Sequence, residues 1–387
     1  MKKIFTTLLY ILLIGVFDSG TVFTQTVSTF LSGSGLNGPD GFAIDTTGNL
    51  YVANWGGGSG NNVLKITPGG TVTTFATGFN APDGLVFDAN GYLYVSNYAS
   101  GIISKVSPSG VSTVFATGLI NPSALAFDSQ GNLYVSNYGG NTVSKITPAG
   151  VVSTFATGFN APLGLAFDSE WNLYVSNYNS GVINKVNPSG VVTVFASISN
   201  SPQSRIQYLL FGRTGNLYVP AYGHNKIYKI TPVGVVSVLT GTGVAGGTNG
   251  PLDSATFNGP NSIAMNKFGE IYISEYNANR IRKIIGVEPP VLIRKENEIL
   301  NYYKLYQNYP NPFNPTTNIK FSLPKSGFVE LRVYDILGKE IMTLVNEKLQ
   351  AGEYEITFNR SGLSNGIYFY KLETEKFSET KKMILIK

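Results

Sequence analysis

The sequence predicts an all-β chain: a six-bladed β-propeller closed by its own N-terminal strand, then a small C-terminal Ig-like β-sandwich. Three observations carry that expectation. A repeat of about 40 residues is phased by one dipeptide, at Leu50-Tyr51, Leu93-Tyr94, Leu133-Tyr134, Leu173-Tyr174, Leu217-Tyr218 and, in the same slot, Ile271-Tyr272. Each copy alternates apolar and polar residues in short runs between Gly, Pro and Asn turns, the pattern of a meander of half-buried strands. A strand of the fourth kind stands before the first copy, and the last copy lacks its own.

Residues 1–25 begin MKKIFTTLLYILLIGVF: two lysines, an apolar run, then the polar Asp18-Ser19-Gly20. That order is expected of a secretory signal peptide, and the run is short for a helix that spans a bilayer. Cleavage is expected between Ser19 and Thr26. No later stretch is long and apolar enough to cross a membrane as a helix.

Residues 26–286 hold the propeller, and the third copy shows its unit most plainly. Ser123 to Asp128 (SALAFD) is almost wholly apolar, as suits an innermost strand buried on both faces. The turn Asp128 to Gly131 leads into NLYVSN (Asn132 to Asn137), then TVSKIT (Thr142 to Thr147), then VVSTFA (Val151 to Ala156). Successive copies are 43, 40, 40, 44 and 54 residues apart, so six units carry two late insertions. One such sheet cannot cover its own faces, whereas neighbouring units cover one another. The sixth copy ends its third strand at Arg280 to Ile285 and runs into Val287-Glu288-Pro289-Pro290. The unused Val27 to Leu31 is expected to complete it and so remove an exposed edge.

Composition narrows the chemistry. Charged residues make up 13% of the chain, and the net charge of +5 is spread out apart from Lys381-Lys382, which argues against a nucleic-acid surface. With no cysteine, thiolate zinc sites, iron–sulfur clusters and Cys nucleophiles are excluded. The one histidine, His224, would have to serve any Ser-His-Asp triad.

These residues carry a resemblance. The pattern P-x-G-x-A-x-D-x-x-G-N-L-Y-V-x-N followed by K-I-x-P-x-G resembles the NHL and SMP-30/gluconolactonase-like propeller repeats, and LYVSNYGGNTVSKI is also similar to the YVTN repeat. The loop Gly241 to Pro260 resembles an insertion common between NHL blades. The virginiamycin-B-lyase type of propeller is similar in its repeats too, but the His-containing H-x-E type cluster of its chemistry has no counterpart here.

The blade trace puts two sets of positions on one face of the disc. Entry to the first strands falls at Asp40, Asp83, Ser123, Leu163, Gln207 and Asn261. The resemblance to gluconolactonase-like propellers implies that Asp40, Asp83 and Asn261 hold a divalent metal, Ca²⁺ or Mg²⁺, as oxygen ligands would. The first-blade Glu of that pattern is missing, and Leu163 interrupts the ring. The same Asp and Asn types also cap turn backbone, which leaves a purely structural reading open. The second set is aromatic: Trp55, Tyr98, Tyr138, Tyr178, Tyr222 and Tyr276, each after Asn54, Asn97, Asn137, Asn177, Ala221 or Glu275. Six aromatics on one face can present stacking platforms for a ligand, or can pack blade against blade. The places that break the repeat, notably Trp55, His224 and Glu275, add further candidates for ligand binding. The D-x-x-G motifs at Asp45, Asp88, Asp128 and Asp168 read as turns, because the alternating ligands of a calcium loop are absent.

Residues 287–303, with charges around Pro289-Pro290, read as a linker. Residues 304–387 show strand runs at Thr317 to Leu323, Phe328 to Asp335, Glu353 to Asn359, Gly366 to Glu373 and Phe377 to Ile386, at the spacing of a β-sandwich. YQNYPNPFNPTTNIKFSLP, VYDILGKEI, LQAGEYEITF, LSNGIYFYKL and the terminal KKMILIK together resemble the type A C-terminal sorting domain of the type IX secretion system. The resemblance implies a Bacteroidota-type host, the type IX machinery as partner of residues 304–387, and delivery to the cell surface or the medium.

The expected function is a non-catalytic binding or scaffold module for a glycan or protein ligand. The alternative is a divalent-metal-dependent lactonase or hydrolase, and a third reading is a structural surface-array protein. A catalytic site should break the repeat at several converging positions, and few breaks converge here.

Overall fold

The computed structural model describes residues 25–198, 204–288, 292–295, 302–359 and 363–386. The expected signal peptide, residues 1–25, lies outside them except for Gln25. Five four-stranded antiparallel sheets follow one another along residues 39–240, each in the order of its sequence. In the second blade, for example, Pro82–Phe87, Leu93–Asn97, Ile102–Val106 and Ser112–Ala116 pair in turn. Every strand with the Leu-Tyr pair is buried along its whole length, as an inner strand covered on both faces must be.

The sixth sheet is built from both ends of the ring. Pro260–Met265, Ile271–Glu275 and Arg280–Ile285 come from the sixth repeat, and Thr26–Ser32 pairs antiparallel with Arg280–Ile285. A short fifth strand, Gly250–Pro251 from the insertion loop, adds to the far side of Thr26–Ser32.

Aromatic contacts join the blades. Tyr51 sits edge-on between Phe75 of its own blade and Phe87 of the next, at 4.9 Å from each ring. Tyr94, Tyr134 and Tyr174 repeat the arrangement. Such pairs contribute about 0.5–1.5 kcal/mol each beyond the area they bury. Buried serines add a polar tie: Ser96 Oγ donates to the Ser123 carbonyl at 2.7 Å, and Ser136 and Ser176 do the same to Leu163 and Gln207 of their next blades. The D-x-x-G aspartates are turn residues. Asp128 Oδ1 accepts the Gln130 and Asn132 N–H groups, and burial, which raises its pKa, is outweighed by these bonds and the Asn132 amide.

Two expectations are corrected at the fifth blade and the linker. In the fifth blade the phase of the repeat puts the first strand at Tyr208 to Gly212, but only Leu210–Phe211 is strand, and Tyr208 stands where the repeat has a small residue, its side chain turned into the channel. The expected linker is ordered at both its ends. Glu288 is buried against the fifth blade, accepting bonds from the Tyr218 hydroxyl at 2.5 Å and the Arg213 N–H at 2.9 Å. Leu292–Lys295 pairs with Glu353–Ile356 of the C-terminal unit, so it is a strand and not an irregular tether.

That unit is a sandwich of two four-stranded sheets. One holds Leu292–Lys295, Gly352–Asn359, Thr316–Leu323 and Lys304–Leu305; the other holds Glu340–Leu349, Gly327–Tyr334, Gly366–Thr374 and Phe377–Leu385. Glu340–Leu349 was not among the expected strands. Asn346, Glu347 and Lys348 lie exposed within it, so its alternation of apolar and polar residues breaks off halfway. Phe321, Tyr354, Phe358 and Tyr370 are among the side chains that fill the space between the sheets.

Candidate functional site

In every blade the residue two before the channel-mouth position adopts a left-handed backbone: Gly38, Ala81, Asn121, Ala161, Arg205 and Gly259 have φ of 51, 51, 50, 54, 44 and 66°. Only two of the six are glycine, so the turn accepts the strain of a side chain at the other four. The carbonyl of each accepts the backbone N–H of one aromatic residue, from Trp55 on Gly38 at 3.2 Å to Tyr276 on Gly259 at 2.9 Å. The Asn before the aromatic secures the same turn, as Asn97 Oδ1 does by accepting the Asn80 N–H at 3.0 Å. Strand entry and aromatic side chain are thereby tied together six times, and all six rings are carried to one mouth of the channel.

The result is a cavity of about 270 Å³. Trp55, Tyr98, Tyr138, Tyr178, Tyr222 and Tyr276 form its wall, and Asp40, Asp83, Leu163, Gln207 and Asn261 its floor. Neighbouring wall rings meet edge-on or tilted: Trp55–Tyr98 at 6.2 Å, Tyr98–Tyr138 at 5.9 Å, Tyr138–Tyr178 at 5.8 Å, Tyr222–Tyr276 at 6.1 Å and Trp55–Tyr276 at 5.8 Å. The rings therefore pack blade against blade and also line a common space.

The floor is acidic and buried. Asp40 and Asp83 are 9% and 5% exposed. Burial first, and repulsion from Asp83 second, push the Asp40 carboxyl well above its usual range, against the pull of the Asn261 amide. Burial raises Asp83 to about 6, although the Tyr208 and Ser123 hydroxyls favour its ionised form. Tyr208 donates its hydroxyl hydrogen to Asp83 across the channel, from the fifth blade to the second. Asn261, 3% exposed, has an Oδ1 with no hydrogen-bond partner.

The structure thus brings together Asp40, Asp83 and Asn261 with the six wall aromatics. It leaves out two of the sequence candidates. His224 bonds through Nδ1 to the Tyr228 hydroxyl at 3.0 Å and does not line the cavity. Glu275 is fully buried beneath the surface, paired with Arg280 and Arg282 and capping the Asn258 N–H. It occupies the slot that Asn fills in four other blades and does the same turn-holding work with a charge. Tyr208 is the residue that sequence reasoning missed. Its signal was a bulky side chain at the position held by Gly41, Gly84, Ala124, Gly164 and Ser262 elsewhere.

As a seat for a divalent metal the floor fits poorly. Ca²⁺ takes six to eight oxygens, and Leu163 contributes none. The described residues hold no group of three His, Cys, Asp or Glu side chains placed for a metal.

Comparison with known proteins agrees with this architecture. Residues 44–243 match the virginiamycin B lyase family, and residues 307–387 match the secretion system C-terminal sorting domain. That domain directs export by type IX secretion to the cell surface or outer membrane. No curated protein matches the chain. Among solved structures, virginiamycin B lyase from Staphylococcus aureus is 16% identical, with a TM-score of 0.52 over 68% of this chain and 100% of that one. An auxiliary nutrient binding protein from Bacteroides ovatus is 18% identical, with a TM-score of 0.57 over 68% and 76%. A gluconolactonase from Xanthomonas campestris is 16% identical, with a TM-score of 0.53 over 67% and 88%. At these identities the likeness is one of fold.

Proposed function

From the premise that this chain belongs to the virginiamycin B lyase family, we propose that its propeller is a non-catalytic binding module, exported to the cell surface, that takes a small ligand or the protruding residue of a glycan or protein. The observation that carries this reading is the cavity itself: six aromatic residues, each anchored at its main chain by the same backbone bond, around a floor with one unpartnered acceptor. Pre-set aromatic walls favour binding because little side-chain freedom remains to be lost.

The family's lyase reaction is not part of the proposal. One solved relative is described as a catalytically inactive histidine variant of the Staphylococcus aureus enzyme with quinupristin, so a histidine matters there. Here the sole histidine is turned to Tyr228, away from the cavity. The lactonase reading is set aside on the ligand set described above. The similar fold of Bacteroides nutrient binding proteins is consistent with a binding role.

The test is a glycan array probed with the full chain, followed by titration of any hit while Trp55 emission is read in a Trp171→Phe background. A saturable change that disappears in Trp55→Phe is expected. An empty array together with an unresponsive Trp55 would count against the reading.

A further inference from the structure

We propose that the cavity is a seat for a primary ammonium group, received on the floor by Asp83 and Asn261 Oδ1 and enclosed by the aromatic wall. This rests on the reading of the propeller as a binding module and adds the chemical class of what it binds.

Three independent features point to an amine. The first is the orphaned acceptor. Asn261 is almost wholly buried, lines the cavity and has an Oδ1 that accepts nothing. An unpaired buried carbonyl is unfavourable, and a ligand N–H placed there relieves it. The second is the wall. All six rings line the cavity, and an aromatic cage attracts cations, most strongly through Trp.

The third is the charge of the floor. Asp40 and Asp83 repel one another, and both are buried. Two buried carboxyls on one floor favour a cation, which offsets their mutual repulsion and their burial. They disfavour a carboxylate or phosphate ligand, and the oxygens beside them are too few for a hard divalent ion. The field reaches the wall, since Asp83 acts on Tyr98, and Asp40 on Tyr178 and Tyr276. Arg205 is the opposing charge, acting on Tyr138 and Tyr178, but it is exposed and screened by solvent where the two acids are not. A quaternary ammonium would satisfy the wall and the charge but would leave Asn261 Oδ1 unbonded. A primary ammonium, with three N–H donors, satisfies all three.

The experiment is isothermal titration of the full chain at pH 7.5 with matched pairs that differ in the charged group: ethanolamine and ethylene glycol, D-glucosamine and D-glucose, phenethylamine and 2-phenylethanol. At least one amine is expected to bind, with its neutral partner at least tenfold weaker. Asn261→Leu and Asp83→Asn should each weaken that amine tenfold or more. The wild-type comparison of amine with neutral partner stands even if a variant misfolds. Neutral partners binding as tightly as the amines would overturn the ammonium proposal and leave the binding reading intact. So would a positive glycan array with no amine bound, or Ca²⁺ binding to the floor in place of every amine. Blank titrations together with an empty array would overturn both.

Discussion

Glu275 and Arg282, both fully buried, face each other across 3.5 Å inside the sixth blade. The same guanidinium donates to the carbonyls of Thr256 at 2.7 Å and Thr248 at 2.9 Å in the insertion loop, and to the Ser28 carbonyl at 3.4 Å in the N-terminal strand. One side chain thus ties together the sixth repeat, the loop that precedes it and the strand that comes from the other end of the propeller.

Removing either partner should therefore be costly. Arg282→Ala leaves several carbonyls unbonded and takes one of two cations from Glu275, and a loss of about 3–5 kcal/mol is expected. Glu275→Gln keeps an acceptor for the Asn258 N–H but leaves Arg280 and Arg282 without their anion; the loss should be similar. Urea unfolding of the two variants beside the wild type checks this. Changes under 1 kcal/mol would show the network to be dispensable.

The floor should make stability depend on pH in a defined direction. Folded Asp83 keeps its proton to about 6, whereas an ordinary aspartate releases it near 3.8. Between those values the folded state binds more protons than the unfolded one, so the advantage present at low pH is lost as pH rises to about 6. A two-unit shift corresponds to roughly 3 kcal/mol. Asp83→Asn should gain on the wild type by up to that amount between pH 4 and pH 7, read as the difference between their melting temperatures. A constant difference across the range would refute the buried, raised carboxyl.

Tyr208→Phe retains the ring and removes the hydrogen that Asp83 accepts. It should cost about 1–3 kcal/mol at pH 7.5, where Asp83 is ionised, and less at pH 4.5, where it is not. Calorimetry at the two pH values separates this from a packing defect, which would cost the same at both.

Melting in EDTA and in excess Ca²⁺ should coincide, because the floor is short of oxygens. A divalent ion at a hundred times its dissociation constant would add about 2.7 kcal/mol. A rise of that size, lost in an Asp40→Ala/Asp83→Ala double variant, would restore the metal reading.

Deleting Thr26–Ser32 exposes the outer edge of Arg280–Ile285 and removes the contact of Phe30 with Tyr272, whose centroids are 5.0 Å apart. Lower melting and self-association through the bared edge are expected, by light scattering after gel filtration. An unchanged monomer with unchanged melting would contradict it.

Much of this was legible because repetition fixes register. Once Leu-Tyr sets the phase, the position after the next three residues is the channel mouth in every blade, so Trp55 and its five tyrosine equivalents, and Asp40, Asp83 and Asn261, could be placed on one face from spacing alone. What escaped were residues whose roles depend on partners far away in sequence. Tyr208 looked like one more strand residue, yet its hydroxyl meets Asp83. Glu275 looked like a break in the repeat available to a ligand, because nothing local showed that Arg280 and Arg282 would pair with it inside the blade. Glu288 read as linker because nothing local told that Tyr218 and Arg213 would receive it.

The pairing of Thr26–Ser32 with Arg280–Ile285 also sets an order of events. Thr26 and Ile285, partners in that ladder, are separated by nearly the whole propeller. A contact of such long range forms late, after the loop it closes has been collapsed by local hairpins. A nascent or translocating chain is therefore an open arc with two unpaired edges until its sixth repeat emerges, and over that interval its first strand has no partner. Anything that stalls the chain before residue 285 leaves an aggregation-prone intermediate, and a factor that shields the first strand would act at that stage.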